Sequence, residues 1–555
     1  MNIFIIKELK MLIAPGTPDT PTIHFWRSFE KYICLSFAIF GFGVCLKDAY
    51  FLSHEIAAKN HIAGVKRESW FGSNYADVDD VQLTAFLNGL PSLSLTACLF
   101  IMIRKMLLRY SNSLDAQIGY YLLFGLGFLL YIHGPGTLFT LLMILGNYVL
   151  LRIFIAKRWF PALVWIANVT FLIITEYNDG YKFGWISSYF GFLDQIPIAI
   201  KWNRSSNLLM LKIISFVIDC HWCYLNKPIK SKHKHMERCI ECTKEITCLK
   251  YRYEQHANIY TLKAFLAYSC YPPLYLAGPT LTYNAWISQI QSPQQAYDSK
   301  RIAFYTLRLI FVFFILQWWI NNLYFPAIAI NPKNKWIWED FTAYELIAGS
   351  YVILKWIWLK FMVIWRFFRL WALLDGIETP ENLGKCISNE YCFEGFWRMW
   401  HRSFNLWLIR YLFVPLGGTK YKVLNIWVVF GFVALWHDLK MSLLVWGWGM
   451  CIFIVPETLV KGYLNRPKFA KFRETLQYNW LCVISASLYL FLLCIANLVG
   501  FSFGVTGLII AANQIVSWEG LFLIIKIFLT FMFLVHFMMM IRYEDLRKGK
   551  QEIGF

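Results

Sequence analysis

The feature that most constrains this chain is the recurrence of long apolar runs from one end to the other. Leu83–Ile103, Gly136–Ile155, Trp480–Phe501 and Leu521–Ile541 each continue almost uncharged for the length a helix needs to cross a bilayer, about 20 residues. Further runs lie at Ile33–Leu46, Gly119–Ile132, Trp159–Thr175, Leu208–Leu225 and Ile259–Leu276. Others follow at Leu307–Leu323, Ile347–Leu374, Leu406–Leu416, Val423–Trp436 and Met441–Val455. Several are short or carry charges, so part of the set is expected to be re-entrant or interfacial. In lipid every backbone polar group must be satisfied internally, and runs of this length do that as helices. The expected fold is an all-α polytopic membrane protein, a bundle of about 10–12 membrane-embedded helices. Hydrophobic residues make up 58 % of the chain and charged residues 16 %. Soluble domains carry roughly 45–50 % and about 25 %, so a soluble secreted, disordered or collagen-like chain is excluded. No internal repeat and no Gly/Ser/Pro linker divides the sequence, and residues 1–555 are read as one integral-membrane domain.

The net charge of +19 would point to nucleic acid in a soluble protein. In a membrane protein it belongs instead in cytoplasmic loops facing anionic lipid, and no nucleic-acid partner is expected. Lys7, Lys10, Arg27 and Lys31 precede the first run, whereas the Glu55–Asp80 loop is acid-rich and Arg104, Lys105 and Arg109 follow the next run. The positive-inside tendency therefore places the N-terminus in the cytosol and the Glu55–Asp80 loop outside. The Lys and Glu residues near the start make a poor cleavable signal, which leaves targeting to the first spanning helix. The longest polar interruption is the basic loop Asn226–Asn258. Cys239-x-x-Cys242, with Cys248, His233, His235 or His256, could be drawn there as a zinc site, but a second paired arm is missing. A metal-free cytosolic loop is expected. The Leu208–Val217 run that leads into it suits an interfacial helix as well as a spanning one. Most of the 14 cysteines read as small core residues, not disulfides.

Soluble catalytic motifs are missing: there is no GxSxG, no GxxxxGK[ST] and no HExxH. Of the histidines, His401, His437 and His536 lie in apolar or aromatic surroundings, and His536 stands alone among Phe, Leu and Met. His437 ends NIWVVFGFVALWHD, flanked by Trp436 and Asp438; a polar side chain there usually faces a cavity or a partner. His401 lies in Phe396–Gly418, where Trp397, Trp400, Phe404, Trp407 and Tyr411 recur at helical spacing. One continuous helix there would put His401 and Asn405 on adjacent faces, with Arg398 and Arg402 beside them. Arginine among aromatics suits phosphate or carboxylate recognition, and interfacial anchoring explains it equally well.

The two Trp-His pairs, Trp400-His401 and Trp436-His437, together with CYPPLYLAGPTLTYNAW at Cys270–Trp286, resemble the membrane-bound O-acyltransferase (MBOAT) family. FFRLWALLDGIETPENLGKC, Phe396–Gly418 and FVALWHDLKMSLLVWGW are similar to its fungal glycerol-uptake-protein (Gup) branch, near the hedgehog-acyltransferase-like members. The resemblance covers residues 267–448. It implies an MBOAT-type bundle around a central cavity, with His437 as the catalytic histidine and His401 at a second, more variable polar position. Acyl-CoA would be the co-substrate, entering from the cytosol, with no bound cofactor and no metal. The acceptor would be a lysophospholipid or a lyso-GPI-anchored protein. GPI-anchor lipid remodelling in the endoplasmic reticulum membrane is the implied setting, with the plasma membrane a second location.

The residue chemistry suits acyl transfer. A hydroxyl attacking a thioester needs a base, and histidine's pKa near 6.5 fits that work. The developing oxyanion needs a donor, for which His401 or Asn405 is placed. Trp400, Trp436, Asp438, Arg398 and Arg402 are the supporting candidates. The rival readings are a glycerol or polyol transporter, with the histidines relaying protons, and a catalytically silent regulator.

Overall fold

The computed structural model of the chain describes residues 21–66, 75–227, 235 and 248–547. Ten helical stretches among them are long and apolar enough to cross a membrane. The N-terminal set comprises α1 (Pro21–Lys59), α2 (Val81–Tyr110), α3 (Leu114–His133), α4 (Thr137–Phe154) and α5 (Phe160–Tyr177). α3 and α4 belong to one apolar stretch, interrupted where Gly134 takes φ +53° and a 3-10 turn covers Gly134–Gly136. Asp80 and Ser113 cap the starts of α2 and α3, each side chain accepting a backbone N–H of the first turn.

α6 (Asn203–Tyr224) is neither interfacial nor lipid-facing: Leu209–His221 is buried without interruption. It carries two charges into the interior, and both are partnered, as the cost of burying a charge demands. Lys212 Nζ donates to the carbonyls of Tyr268 and Ser269 at 3.3 and 3.2 Å. Asp219 accepts from Arg410 and from the Tyr411 hydroxyl, both at 2.8 Å.

The run Ile259–Leu276 is not a spanning helix. α7 (Leu262–Ser269) stops after eight residues, and Pro272-Pro273 open a 3-10 turn before α8 (Tyr283–Gln291). Lys212 adds a donor to two carbonyls at the end of α7, where the helix ladder stops. α9 (Ser299–Asn322) and the long α10 (Ala343–Leu374) pack against each other, and α10 also contacts α1 and α2. A capping box of Thr342 and Glu345 starts α10. At its other end Asp375 meets Arg104 of α2 at 3.2 Å and accepts from Tyr121 and Tyr271 at 3.0 and 2.5 Å.

The acid-rich connection forms a two-stranded antiparallel pair, β1 (Val65–Lys66) and β2 (Ala76–Asp77). Asp77 accepts the Ala327 N–H at 2.8 Å, and Ala63 and Asn334 exchange hydrogen bonds at 2.9 and 2.8 Å. The segment between α9 and α10 is thereby fixed to the same face as that loop. Burial outweighs the two backbone N–H groups on Asp77 and pushes its carboxyl up to about 8.

The C-terminal part adds α11 (Phe393–Met399), α12 (Arg402–Leu408), α13 (Lys422–His437), α14 (Met441–Leu464), α15 (Leu476–Phe501), α16 (Gly504–Ile515) and α17 (Trp518–Arg547). α17 packs against α1, bringing the two ends of the chain together. Cys239, Cys242 and His233 of the basic loop lie outside the described residues. Within the described part, His235 Nε2 lies 3.2 Å from Cys248 Sγ, and His256 contacts the Lys227 carbonyl at 3.0 Å. Among the described residues no group of three His, Cys, Asp or Glu side chains is placed to hold a metal.

Candidate active site

The segment Phe396–Gly418 is not one helix. α11 ends at Met399, Trp400 forms an isolated bridge with Leu383, and His401 takes a left-handed backbone, φ +47° and ψ +49°. A left-handed non-glycine residue costs of order 1 kcal/mol or more and persists where its surroundings over-determine it. Here Asn382 supplies the constraint. Its carbonyl accepts the Arg402 N–H at 3.0 Å and its side-chain oxygen accepts the Ser403 N–H at 3.1 Å. Ser403 Oγ in turn accepts the Thr280 N–H at 2.8 Å, so residues from two distant segments set the turn. α12 then starts at Arg402, and the Asn405 N–H donates to the His401 carbonyl at 3.1 Å, keeping the two residues one turn apart.

The break splits the aromatic series. Trp397 packs on Phe430 and Trp446, with ring centroids 5.7 and 5.4 Å away. Trp400 turns instead toward Phe361 and Trp365 of α10. The His401 imidazole stacks on Trp365 at 4.6 Å, tilted only 18°, and lies 6.1 Å from the Trp436 ring. Trp436 stacks on Phe404 at 4.4 Å, and the His437 imidazole stands edge-on to Trp436 at 4.9 Å. Both imidazoles thus pack against Trp436 and border one space.

That space is a cavity of about 1640 Å³. Trp400, His401, Asn405, Trp436, His437 and Asp438 all line it. His437, the last residue of α13, has exposed surface that opens into the cavity. Its position is fixed one residue earlier: Asn207 of α6 donates to the Trp436 carbonyl at 2.6 Å and accepts from the Trp436 indole N–H at 2.9 Å. Asp438 pairs with Lys440 at 2.7 Å.

Arg398 and Arg402 are not among the lining residues. Arg398 is ion-paired with Glu394 at 2.9 Å along α11, and Arg402 is buried at the start of α12. Sequence reading missed Trp365, Asn207 and Asn382. Trp365 and Asn207 carry no signal that separates them from packing residues, and Asn382 reads as an ordinary loop asparagine. Lys360, a cavity-lining charge inside an apolar run, did carry one.

Comparison with known proteins places the chain in a family. The profile of MBOAT, the membrane-bound O-acyltransferase family, matches residues 190–502, which include both histidines. Membrane-bound O-acyltransferase gup1 of Schizosaccharomyces pombe is 32 % identical over 520 residues, covering 91 % of this chain and 87 % of that protein. GUP1 of Saccharomyces cerevisiae is 31 % identical over 492 residues, covering 87 % and 85 %. The mouse protein-cysteine N-palmitoyltransferase HHAT is 27 % identical over 218 residues, 38 % of this chain and 42 % of its own. A polytopic helical bundle, a cavity walled by two Trp-His pairs and similarity along most of its length make this chain a member of the membrane-bound O-acyltransferase family, a multi-pass membrane acyltransferase.

Proposed function

We propose that the protein transfers a fatty acyl group from acyl-CoA to the hydroxyl of a lysolipid, with His437 as general base. The observation that carries this reading is the placement of both imidazoles on the wall of one large cavity in an apolar bundle. His437 takes the proton of the acceptor hydroxyl as its oxygen attacks the thioester carbonyl. The carbonyl oxygen gains negative charge, and His401 or Asn405 donates to it. The C–S bond then breaks, and CoA leaves as a thiol with the proton that His437 returns. Neither a metal nor a covalent acyl-enzyme is needed. The aromatic lining keeps water, a competing nucleophile, away from the thioester.

The finer assignment follows the chain's resemblance to the Gup branch. The acceptor is a lysophospholipid, most specifically the lyso-GPI anchor, and the site of action is the endoplasmic reticulum membrane. Residues 267–448 carry the chemistry within one membrane domain. The test is acyl-CoA-dependent transfer by purified protein to a panel of lysolipids, run beside glycerol flux in liposomes. Transfer to at least one lysolipid, abolished in His437→Ala, is expected. Glycerol flux lost in His437→Ala while acyl transfer stays at wild-type level overturns the enzyme reading in favour of a transporter.

A further inference from the structure

Among the described residues, three Lys or Arg side chains line the cavity: Arg204, Lys360 and Lys526. Arg204 is well exposed and pairs with the equally exposed Asp179 at 3.4 Å. Lys360 differs. It lies in the middle of α10 with its side chain only 7 % exposed, and its Nζ is 2.7 Å from Asp80 Oδ2, another lining residue. Asp80 is held in turn as the cap of α2, its Oδ1 accepting the Leu83 N–H at 2.6 Å. The ammonium also sits over the rings of Trp356 and Phe361, each 5.2 Å away.

A tie between α10 and α2 does not need these charges. Apolar residues of similar volume do as well or better in a buried setting, so a retained pair calls for another reason. An ammonium has three donors, and Asp80 engages one. A lysine with one carboxylate partner at the wall of an apolar cavity can accept a second anionic oxygen at little further desolvation cost. Its place along α10 is informative. Phe361, next in sequence, stacks on Trp365 at 4.8 Å, and Trp365 stacks on His401 at 4.6 Å. Five residues of helix separate Lys360 from Trp365, an axial rise of about 7.5 Å. Lys360 therefore lies at that remove from the ring that stacks on His401, on the wall of the cavity that both histidines share, which suits an acceptor that carries a phosphate near its free hydroxyl.

We propose that Lys360, oriented by Asp80, binds the phosphodiester of the acceptor headgroup and so selects phosphate-bearing lysolipids over uncharged ones. The proposal rests on the acyltransferase reading above and names the acceptor class for that same cavity. CoA carries phosphates too, so the test must separate donor from acceptor.

The experiment uses full-length purified protein with palmitoyl-CoA as donor, and lysophosphatidylinositol or monoacylglycerol as acceptor. The variant is Lys360→Met/Asp80→Asn, which removes both charges together and keeps the helix cap, so no buried charge is left alone. The expected result is a KM for lysophosphatidylinositol raised by about tenfold or more, with kcat within about threefold. KM for monoacylglycerol and for palmitoyl-CoA stays unchanged, and Lys360→Arg retains most of the discrimination. An equal loss with both acceptors, accompanied by lower thermal stability, makes the pair a structural tie and overturns the proposal. A raised KM for palmitoyl-CoA alone assigns the lysine to the donor and overturns it equally. Binding of lysophosphatidylinositol, measured without donor, keeps the two readings apart. Binding that weakens in the double variant of a protein with no transferase activity supports the phosphodiester site and sinks the acyltransferase reading.

Discussion

His437 ends its helix one residue after Trp436, and Asn207 grips Trp436 through both its main chain and its indole. Under the proposed chemistry, His437→Ala should lower transfer by about 10²–10⁴-fold with the protein still folded and inserted. His401→Ala should cost about 10²–10³-fold, with residual turnover easier to measure than for His437→Ala. Side-by-side kcat and melting measurements check both; stability lost in step with activity would make the histidines packing residues. Asn207→Ala should lower kcat by about 10–100-fold through misplacement of the base, since small displacements of reacting groups carry penalties of that size. KM for acyl-CoA should hold, and unchanged kcat would remove Asn207 from the positioning set. Both histidines were legible in the sequence because each follows a tryptophan in an apolar setting. The left-handed backbone of His401 was not, because the aromatic spacing runs through it unbroken. The break comes from Asn382 and Thr280, which no local pattern around His401 contains.

The broken segments of the fold are built by close approach. Gly278 has the Pro273 carbonyl and Leu274 Cα where a side chain would start. Gly278→Ala should therefore destabilise the turn by about 1–3 kcal/mol, seen as a lower melting temperature in detergent, without any change at the histidines. The Pro272-Pro273 and Gly278-Pro279 pairs that break the segment between α7 and α8 are visible in the sequence, but the apolar run Ile259–Leu276 hides the stop after Ser269. The interior position of α6 is hidden too: Leu208–Val217 looks the same whether it faces lipid, headgroups or protein, and only the partners of Lys212 and Asp219 distinguish these cases. On the acid-rich face, Asp77 is protonated in the fold at pH values where the unfolded chain would ionise it. Its folded value of about 8 lies above the unfolded one, so the folded state holds the extra proton. Stability should fall as pH rises from about 4 to about 8, and Asp77→Asn should flatten that slope in melting curves. A wild-type profile as flat as the variant's would contradict this.

Seen whole, the bundle encloses its cavity with helices from both ends of the chain. Phe37 and Phe40 of α1, Leu490 of α15, Ala512 of α16 and Ile524 of α17 share the wall with the two histidines. The two Trp-His pairs lie between residues 400 and 437, and much of the wall does not. This division has a consequence for how such proteins diverge. The part of the chain that performs the reaction can stay constant while flanking helices vary the length and shape of what is admitted. Paralogues with the same two Trp-His pairs would then differ in acyl preference through residues that no catalytic motif marks. Ala512→Trp should accordingly depress kcat/KM for long-chain acyl-CoA far more than for short-chain acyl-CoA, and equal depression of both would refute it. In such a protein the wall that sizes a substrate and the side chains proposed to act on it are partly encoded in different stretches of the chain.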